Sequence, residues 1–372
     1  MLLMTAALIL AVLAVAFANG ANDNVKGVAT ILGSRTARYW PAMAWATITT
    51  LAGAVISIWF AEALFNAFGG AGLVPAAVAT KPAFLLSAAC GAAGAVLLAT
   101  LIGFPISTTH GLTGALVGAG LVLAPGDLKW ITLGTKFALP LALSPLAAML
   151  ATLLLYLLFR RARLALGVTA ESCVCIGQKV VATCPTPAAA LAYMQDQVIP
   201  TLETGTTACC TQRYNGAVAG VSAQQALDSL HFLTAGAMSF ARGLNDAPKI
   251  AALAVAASIL GVRGSVAVVA AAMAVGGLAL AKKVARTMSE KVTDMNTGQG
   301  FTASLVTSSL VICATAFGLP VSTTHVSCGA LFGIGTVNGT AKWKMIAAIL
   351  LAWVTTLPFA ALIAAGVAAA LK

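Results

Sequence analysis

Charged residues are scarce in this chain. Only 8% of its 372 residues are charged and 60% are hydrophobic, whereas an average soluble domain is about 25% charged. Acidic residues are the rarest, with 10 Asp and Glu against 21 Lys and Arg. This composition excludes a soluble enzyme, a secreted disulfide scaffold and a disordered chain. An integral membrane protein is the class that remains.

Two further absences narrow this class. The apolar residues form long continuous blocks and do not alternate with polar ones, which excludes a transmembrane β-barrel. No nucleotide-binding Gly-x-x-x-x-Gly-Lys-Ser/Thr motif occurs, so an ATP-driven pump would need a second subunit. We therefore expect an all-α integral membrane protein that is not an enzyme and that uses no cofactor.

Five of the eight cysteines share one polar stretch but do not form a metal-binding motif. They are Cys173, Cys175, Cys184, Cys209 and Cys210. The stretch has no Cys-x-x-Cys pair and no nearby histidine, so it does not indicate a zinc site. We predict no metal centre. If the stretch is cytoplasmic, its thiols should be reduced.

Hydrophobic runs divide the chain into two halves. The runs cover 1–18, 40–60, 83–103, 105–124, 130–159, 228–258, 264–281, 299–318, 320–336 and 344–371. We predict ten to twelve transmembrane segments, in a first transmembrane repeat at 1–160 and a second at 228–372, joined by a cytoplasmic loop at 161–227. Five crossings per half, with the N-terminus outside, place most Lys and Arg in the cytoplasm, as the positive-inside rule requires. The charge excess thus reflects topology, and no nucleic-acid partner is expected.

Each half carries the same two motifs in the same order. Gly-x-Asn-Asp-x-x-Lys occurs at 20–26 and again at 243–249. Gly-x-Pro-x-Ser-Thr-Thr-His occurs at 103–110 and again at 318–325. An odd number of crossings per half inverts the second copy, as in secondary transporters whose substrate site lies near the midplane. We therefore predict two inverted repeats with broken helices at the motifs, including breaks beside Gly20 and Gly243.

The Asn-Asp motifs place charges inside apolar runs, where each charge costs about 2.5 to 3.5 kcal/mol at the centre of a bilayer helix. A helix break there would free carbonyl oxygens beside a carboxylate. The candidate ligands of a coupling cation are Asn22, Asp23, Asn245 and Asp246. The charges that would modulate this site are Lys26, Lys249 and Arg242. The alternative is an ordinary helix end, with a polar cap and a lysine that extends to the interface.

The Ser-Thr-Thr-His motifs suit an anion. Proline fits the first turn of a helix, and a helix N-terminus offers backbone N–H groups and the positive dipole end. The candidate substrate ligands are Ser107, Thr108, Thr109, Ser322, Thr323 and Thr324. The alternative is capping together with close packing of small residues. His110 and His325 end the two motifs and would serve either proton coupling or a hydrogen bond between helices.

These paired motifs resemble those of the inorganic phosphate transporter (PiT) family of cation-coupled symporters, and the resemblance covers 1–160 and 228–372. It implies a fold of two inverted repeats, usually dimeric, that carries phosphate by alternating access with sodium or protons. It also implies that the Asn-Asp residues serve the cation and that the two Ser-Thr-Thr segments hold the phosphate.

One position departs from the family pattern. The first copy in the family usually reads Gly-Ala-Asn-Asp-Val-Ala-Asn-Ala, whereas Lys26 stands here in place of the second asparagine, and Lys249 matches it in the second copy. We hypothesise that the Lys26 ammonium replaces a sodium ion or binds the anion directly. The coupling ion therefore stays open between proton and sodium.

The sequence thus predicts a multi-pass symporter of a cell membrane, with a bacterial or archaeal inner membrane as the default. Its partners would be inorganic phosphate, a coupling cation, the lipid bilayer and a second copy of the chain. A permease for sulfate or another tetrahedral oxyanion stays open, because hydroxyl and N–H donors bind any of these anions. A channel or a membrane sensor is the rival from another class, and substrate accumulation against a gradient would exclude both.

Overall fold

The computed structural model describes residues 2–70, 72–183, 195–213, 219–258 and 260–372. The chain forms two compact units, of which one contains Met1–Tyr156 and His231–Lys372 and the other Leu157–Leu230. Cys184 lies outside the described residues.

The structure is mostly helical. In chain order the helices are α1 (Leu2–Asp23), α2 (Ala29–Gly33), α3 (Tyr39–Phe60), α4 (Glu62–Phe68), α5 (Ala76–Ala79), α6 (Pro82–Ile102), α7 (Thr108–Leu123), α8 (Trp130–Thr132), α9 (Leu139–Ala165), α10 (Thr207–Arg213), α11 (Ala223–Ala256), α12 (Val262–Leu280), α13 (Lys282–Arg286), α14 (Thr297–Ala316), α15 (Thr323–Asn338) and α16 (Trp343–Ala370). A π-helical turn at Leu133–Ala138 joins α8 to α9, and another at Thr287–Lys291 follows α13.

Seven helical segments in the described part of the chain are long and apolar enough to cross a membrane. They are Leu3–Gly27, Tyr39–Phe60, Pro82–Ile102, Trp130–Ala165, Val262–Leu280, Thr297–Ala316 and Trp343–Ala370. Each overlaps a predicted hydrophobic run, and the three other runs form α7, α11 and α15. The helices α7 and α15 have 16 residues each. Such a helix is about 24 Å long, shorter than the ~30 Å hydrocarbon layer.

The Ser-Thr-Thr motifs interrupt the helices of both halves, as the sequence predicts. Gly103 ends α6 with φ 83°, and Gly318 follows α14 with φ 66°, values that glycine adopts readily. Ser107 and Ser322 then cap α7 and α15, because each Oγ accepts the backbone N–H three residues ahead, at 3.1 and 3.2 Å. These two serines therefore act as helix caps, which was the alternative to an anion site for the Ser-Thr-Thr motifs.

The two Asn-Asp motifs follow different helix paths. In the first half α1 ends at Asp23, and a 3-10 turn covers Asn24–Gly27 before α2 begins. In the second half α11 continues through the motif, although it contains Pro248. The predicted break beside Gly243 is therefore wrong. Gly243 permits close packing instead, because a Cβ there would lie 2.0 Å from the Thr50 carbonyl oxygen of α3.

Glycines also bring helices of the two halves into contact. On α7, Cβ atoms at Gly114 and Gly118 would lie 2.2 and 2.0 Å from carbonyl oxygens of α16. On α15, Cβ atoms at Gly329 and Gly333 would lie 2.3 and 2.6 Å from carbonyl oxygens of α9. Small residues four positions apart let membrane helices pack backbone against backbone. Each Ser-Thr-Thr helix thus packs against the long last helix of the opposite half.

The smaller unit contains a sheet, which the all-α prediction omitted. Strand β1 (Ser172–Thr183) pairs antiparallel with β2 (Gln195–Thr206) and β3 (Ala219–Ser222), in the order β2-β1-β3. Branched residues such as Val174 and Ile176 favour a strand, because their side chains fit a pleated surface. The polar composition of this stretch hid that signal.

The cysteines of the smaller unit differ in oxidation state. Cys175 is disulfide-bonded, whereas Cys173 and Cys209 are free thiols. The expectation of reduced thiols, which was conditional on a cytoplasmic location, does not describe Cys175. The cytoplasmic location of this segment stays a prediction.

The close contact of α7 with α16 can be tested with one added methyl group. In Gly118→Ala the new Cβ would overlap the Ala361 carbonyl oxygen, and overpacking of this kind costs about 1 to 3 kcal/mol. The matched control is Gly366→Ala on α16, where a Cβ meets no atom within 4 Å. We expect the midpoint of thermal unfolding in detergent to fall for Gly118→Ala and to hold or rise for Gly366→Ala. Equal midpoints would contradict the backbone contact.

Candidate functional site

The Asn-Asp and Ser-Thr-Thr motifs of both halves meet in one buried cluster. Thr108 Oγ1 donates to Asp23 Oδ2 at 3.0 Å, and Thr323 Oγ1 donates to Asp246 Oδ2 at 3.2 Å. Asn19 Nδ2 links the two carboxylates, at 2.8 Å from Asp23 Oδ2 and 3.4 Å from Asp246 Oδ2. None of these residues is more than 4% exposed. The predicted cation ligands and the predicted substrate ligands are therefore neighbours.

The ammonium group of Lys26 lies among three oxygen atoms. It forms an ion pair with Asp23 and donates to the Ile106 carbonyl at 2.7 Å and to Thr324 Oγ1 at 2.6 Å. Ile106 belongs to the Ser-Thr-Thr motif of the same half, and Thr324 belongs to that of the other half. The ammonium group of Lys26, in the first half, is thus bound in part by a residue of the second half.

Lys249 makes the equivalent contacts in the second half. Its Nζ donates to the Val321 carbonyl at 2.7 Å and to Thr109 Oγ1 at 2.9 Å, and it pairs with Asp246 at 3.6 Å. Val321 directly precedes the serine of its Ser-Thr-Thr motif, as Ile106 does in the first half. Thr109 is the second threonine of its motif, as Thr324 is in the second half. Each lysine therefore donates a hydrogen bond to the second threonine of the Ser-Thr-Thr motif in the opposite half.

Asn22 and Asn245 bind the segments that lead into the Ser-Thr-Thr helices. Asn22 Oδ1 accepts the Ile106 N–H at 3.1 Å, and its Nδ2 donates to the Phe104 carbonyl at 3.0 Å. Asn245 Nδ2 donates to the Val321 carbonyl at 3.2 Å. Buried amides thus satisfy backbone groups that a helix break leaves without helical partners.

Three polar side chains of this cluster were not predicted from the sequence. Thr100 Oγ1 accepts from Asn22 Nδ2 at 2.9 Å, and Thr315 Oγ1 donates to Asn245 Oδ1 at 3.1 Å. Both threonines stand three residues before the glycine of a Ser-Thr-Thr motif, so their repetition was a usable signal. Asn19 directly precedes the glycine of the first Asn-Asp motif, and only the structure shows that it joins the two carboxylates.

The charges of the cluster do not cancel. The buried charged residues are Asp23, Lys26, Arg242, Asp246 and Lys249, and none is more than 2% exposed. Three cations against two carboxylates leave a formal charge of +1. A buried charge is costly in a membrane unless it is paired. This balance favours an anionic substrate.

His110 and His325 lie side by side where the two Ser-Thr-Thr helices begin. Their ring centroids are 4.5 Å apart, and the His325 ring stacks on Trp353 at 3.8 Å. His325 Nδ1 is 3.0 Å from the Leu141 carbonyl oxygen. His325, on α15, therefore makes a hydrogen bond to α9, which is one of the two roles expected for these histidines.

Residues 19–364 match the sequence model of the phosphate transporter family, a range from the first Asn-Asp motif to α16. The chain belongs to this family. The family is one of transporters and not an enzyme class, and the resemblance drawn from the two paired motifs is confirmed.

Individual relatives agree with the family assignment. A Mycobacterium bovis protein named as a phosphate permease is 38% identical over 146 residues. The match covers 36% of this chain and 26% of that protein. This chain thus spans about a quarter of the length of the mycobacterial permeases that it matches. A Rhizobium meliloti protein named as a low-affinity inorganic phosphate transporter is 29% identical, with 94% of this chain and 91% of that protein covered.

A solved structure shows the same fold. The sodium-dependent phosphate transporter superposes with a TM-score of 0.76 and 22% identity, and the match covers 99% of each chain. At this level of identity the likeness concerns the architecture.

The pair of Lys26 and Asp23 can be tested by removing its members singly and together. Because each single change leaves an unpaired buried charge, we expect Lys26→Met or Asp23→Asn to cost about 3 to 5 kcal/mol of unfolding free energy. The double variant should lose less than the sum of the two. The exposed pair of Arg286 and Glu290 is the control, and Glu290→Gln should cost less than about 1 kcal/mol. Additive losses at the buried pair would contradict the interaction.

Proposed function

We propose that this chain carries inorganic phosphate across a cell membrane by cation-coupled symport. The family assignment and the names of its relatives support phosphate as the substrate. The observation that carries the proposal is the buried cluster in which two Ser-Thr-Thr helix starts meet two Asp–Lys pairs. Helix N-termini and hydroxyl groups bind oxyanions, and the formal charge of +1 favours one.

We also propose that the two halves are inverted repeats of ten to twelve transmembrane segments that work by alternating access, in a protein that is a homodimer. The equivalent contacts of the two lysines support the repeat. Because Lys26 reaches Thr324 and Lys249 reaches Thr109, relative motion of the halves would break both contacts together. Symmetric contacts of this kind suit a transporter in which one repeat moves against the other.

The coupling ion is proposed to be the proton. Each lysine ammonium lies among a carboxylate, a backbone carbonyl and a hydroxyl oxygen. Oxygens of these types also coordinate sodium at broken helices. A tethered ammonium occupies the position that a sodium ion would take, so sodium would have no separate role there. Asp23 and Asp246 would then be the groups that accept the transported proton.

The proposal is tested by uptake of radiolabelled phosphate into proteoliposomes that contain the purified chain, with proton and sodium gradients imposed separately. We expect the proton gradient to drive accumulation and the sodium gradient to add little. Asp23→Asn, which removes the proton acceptor beside Lys26, should abolish accumulation. If folded protein accumulates no phosphate under either gradient, phosphate symport is wrong, and uptake without accumulation would indicate a channel.

The role of Lys26 gives a separate prediction. In Lys26→Asn the tethered cation is lost, while the Asp23 carboxylate, the Ile106 carbonyl and the Thr324 hydroxyl remain as ligands for sodium. We therefore expect phosphate uptake by this variant to become dependent on sodium. Lys344→Asn, a change on the exposed start of α16, is the matched control and should respond as the unmodified chain does. A sodium response that is the same in all three proteins would refute the ammonium hypothesis.

A further inference from the structure

In the two Asn-Asp motifs and the residues that directly precede them, two buried polar groups have no hydrogen-bond partner among the described residues. They are the side-chain oxygen of Asn19 and the whole guanidinium group of Arg242. Asn19 is 0% exposed and Arg242 is 1% exposed. A buried unsatisfied polar group costs about 1 to 3 kcal/mol, and a charged one costs more. Groups left in this state at a functional site point to a ligand.

The two groups occupy equivalent positions of the repeat. Asn19 directly precedes Gly-x-Asn-Asp in the first half, and Arg242 directly precedes it in the second. Asn19 contacts the carboxylates of both halves. Arg242 interacts electrostatically with the same two carboxylates, and it lies four residues before Asp246, on the same face of α11. Both groups therefore belong to the centre of the cluster.

The orientation of the Asn19 amide follows from its neighbours. Nδ2 is within hydrogen-bond distance of Asp23 Oδ2 and of Asp246 Oδ2, at 2.8 and 3.4 Å. Ionised carboxylates accept hydrogen bonds and cannot donate them. The nitrogen must therefore face the carboxylates, which leaves Oδ1 as a pure acceptor. Arg242, by contrast, offers five N–H donors and no acceptor.

A ligand that satisfies both groups must present anionic oxygens and at least one O–H donor. Phosphate meets both conditions near neutral pH, because at least one of its oxygens is protonated. Sulfate offers only acceptors. Its oxygens would face Asn19 Oδ1, and two acceptors that face each other repel.

We propose that Asn19 and Arg242 form the pair that selects phosphate over sulfate: the Arg242 guanidinium binds the anionic oxygens, and Asn19 Oδ1 accepts the phosphate O–H. The inference rests on the proposed function and assigns its anion specificity to two residues outside the Ser-Thr-Thr motifs. The guanidinium fork fits two oxygens of a tetrahedral anion at once.

The test is equilibrium binding of radiolabelled phosphate to the purified full chain in detergent at neutral pH, with arsenate or sulfate as competitor. Arsenate keeps a proton at this pH, and sulfate has none. We expect arsenate to displace phosphate from the unmodified protein and a large excess of sulfate to leave it bound. Arg242→Gln should weaken phosphate binding by about 10- to 100-fold, the factor expected for hydrogen bonds to a charged group.

Three further variants make the result specific. Arg242→Lys keeps the charge without the fork, so its phosphate affinity should lie between those of the unmodified protein and Arg242→Gln. Asn19→Ala should narrow the ratio of phosphate to sulfate affinity by about tenfold, the value of one charged hydrogen bond. Because this readout is a ratio measured on one protein, a loss of folded protein does not affect it. Arg263→Gln, an exposed change at the start of α12, is the matched control and should bind as the unmodified protein does.

The outcomes separate this inference from the proposed function. If the unmodified protein does not bind phosphate, phosphate transport is wrong and the inference falls with it. If the unmodified protein binds phosphate and Arg242→Gln binds it equally well, only the inference is overturned. Displacement by sulfate as effective as that by arsenate would overturn the selection. That measurement needs no variant, so it can overturn the selection even if Arg242→Gln and Asn19→Ala do not fold.

Discussion

The cost of burying charge in a membrane is the constraint on which the rest of this structure depends. Lys26 and Lys249 are almost fully buried, and each needs oxygen atoms around its ammonium group. The two lysines obtain them from their own half and from the opposite half. The hydrogen bonds of the two lysines to Thr324 and Thr109 therefore join the two halves at the point where substrate and coupling ion would bind.

Close helix packing is what brings these contacts within reach. A lysine side chain can reach the opposite motif only if the backbones of the two halves approach closely. Gly114 and Gly118 supply this approach for α7, and Gly329 and Gly333 supply it for α15. Helices in lipid gain little from the hydrophobic effect, so close backbone contact of small residues has to stabilise their association. The close contacts at these glycines thus support the same contacts between halves that the buried lysines make.

The sequence predicted the duplicated motifs, the interruption at each Ser-Thr-Thr segment and the concentration of charge, because each of these leaves a local and repeated pattern. It did not predict that α11 continues through its Asn-Asp motif, since a glycine that permits packing and a glycine that breaks a helix look alike. The contact of Lys26 with Thr324 was also invisible, because it joins residues 298 positions apart. The orphaned side chain of Arg242 is a property of packing, which no linear pattern records.

Hydrogen-bond donors decide how a proton and an anion could share this cluster. The Thr108 and Thr323 hydroxyls donate to Asp23 and Asp246, so their donors are engaged by the carboxylates. In a proton-coupled carrier, protonation of Asp23 would remove a negative charge that repels phosphate. It would also weaken the hold of that carboxylate on the Thr108 hydroxyl, since a neutral acid accepts hydrogen bonds less strongly than a carboxylate. The released hydroxyl could then donate to the anion. Binding of the proton and binding of the anion would then favour each other, through the lost charge and the released hydroxyl.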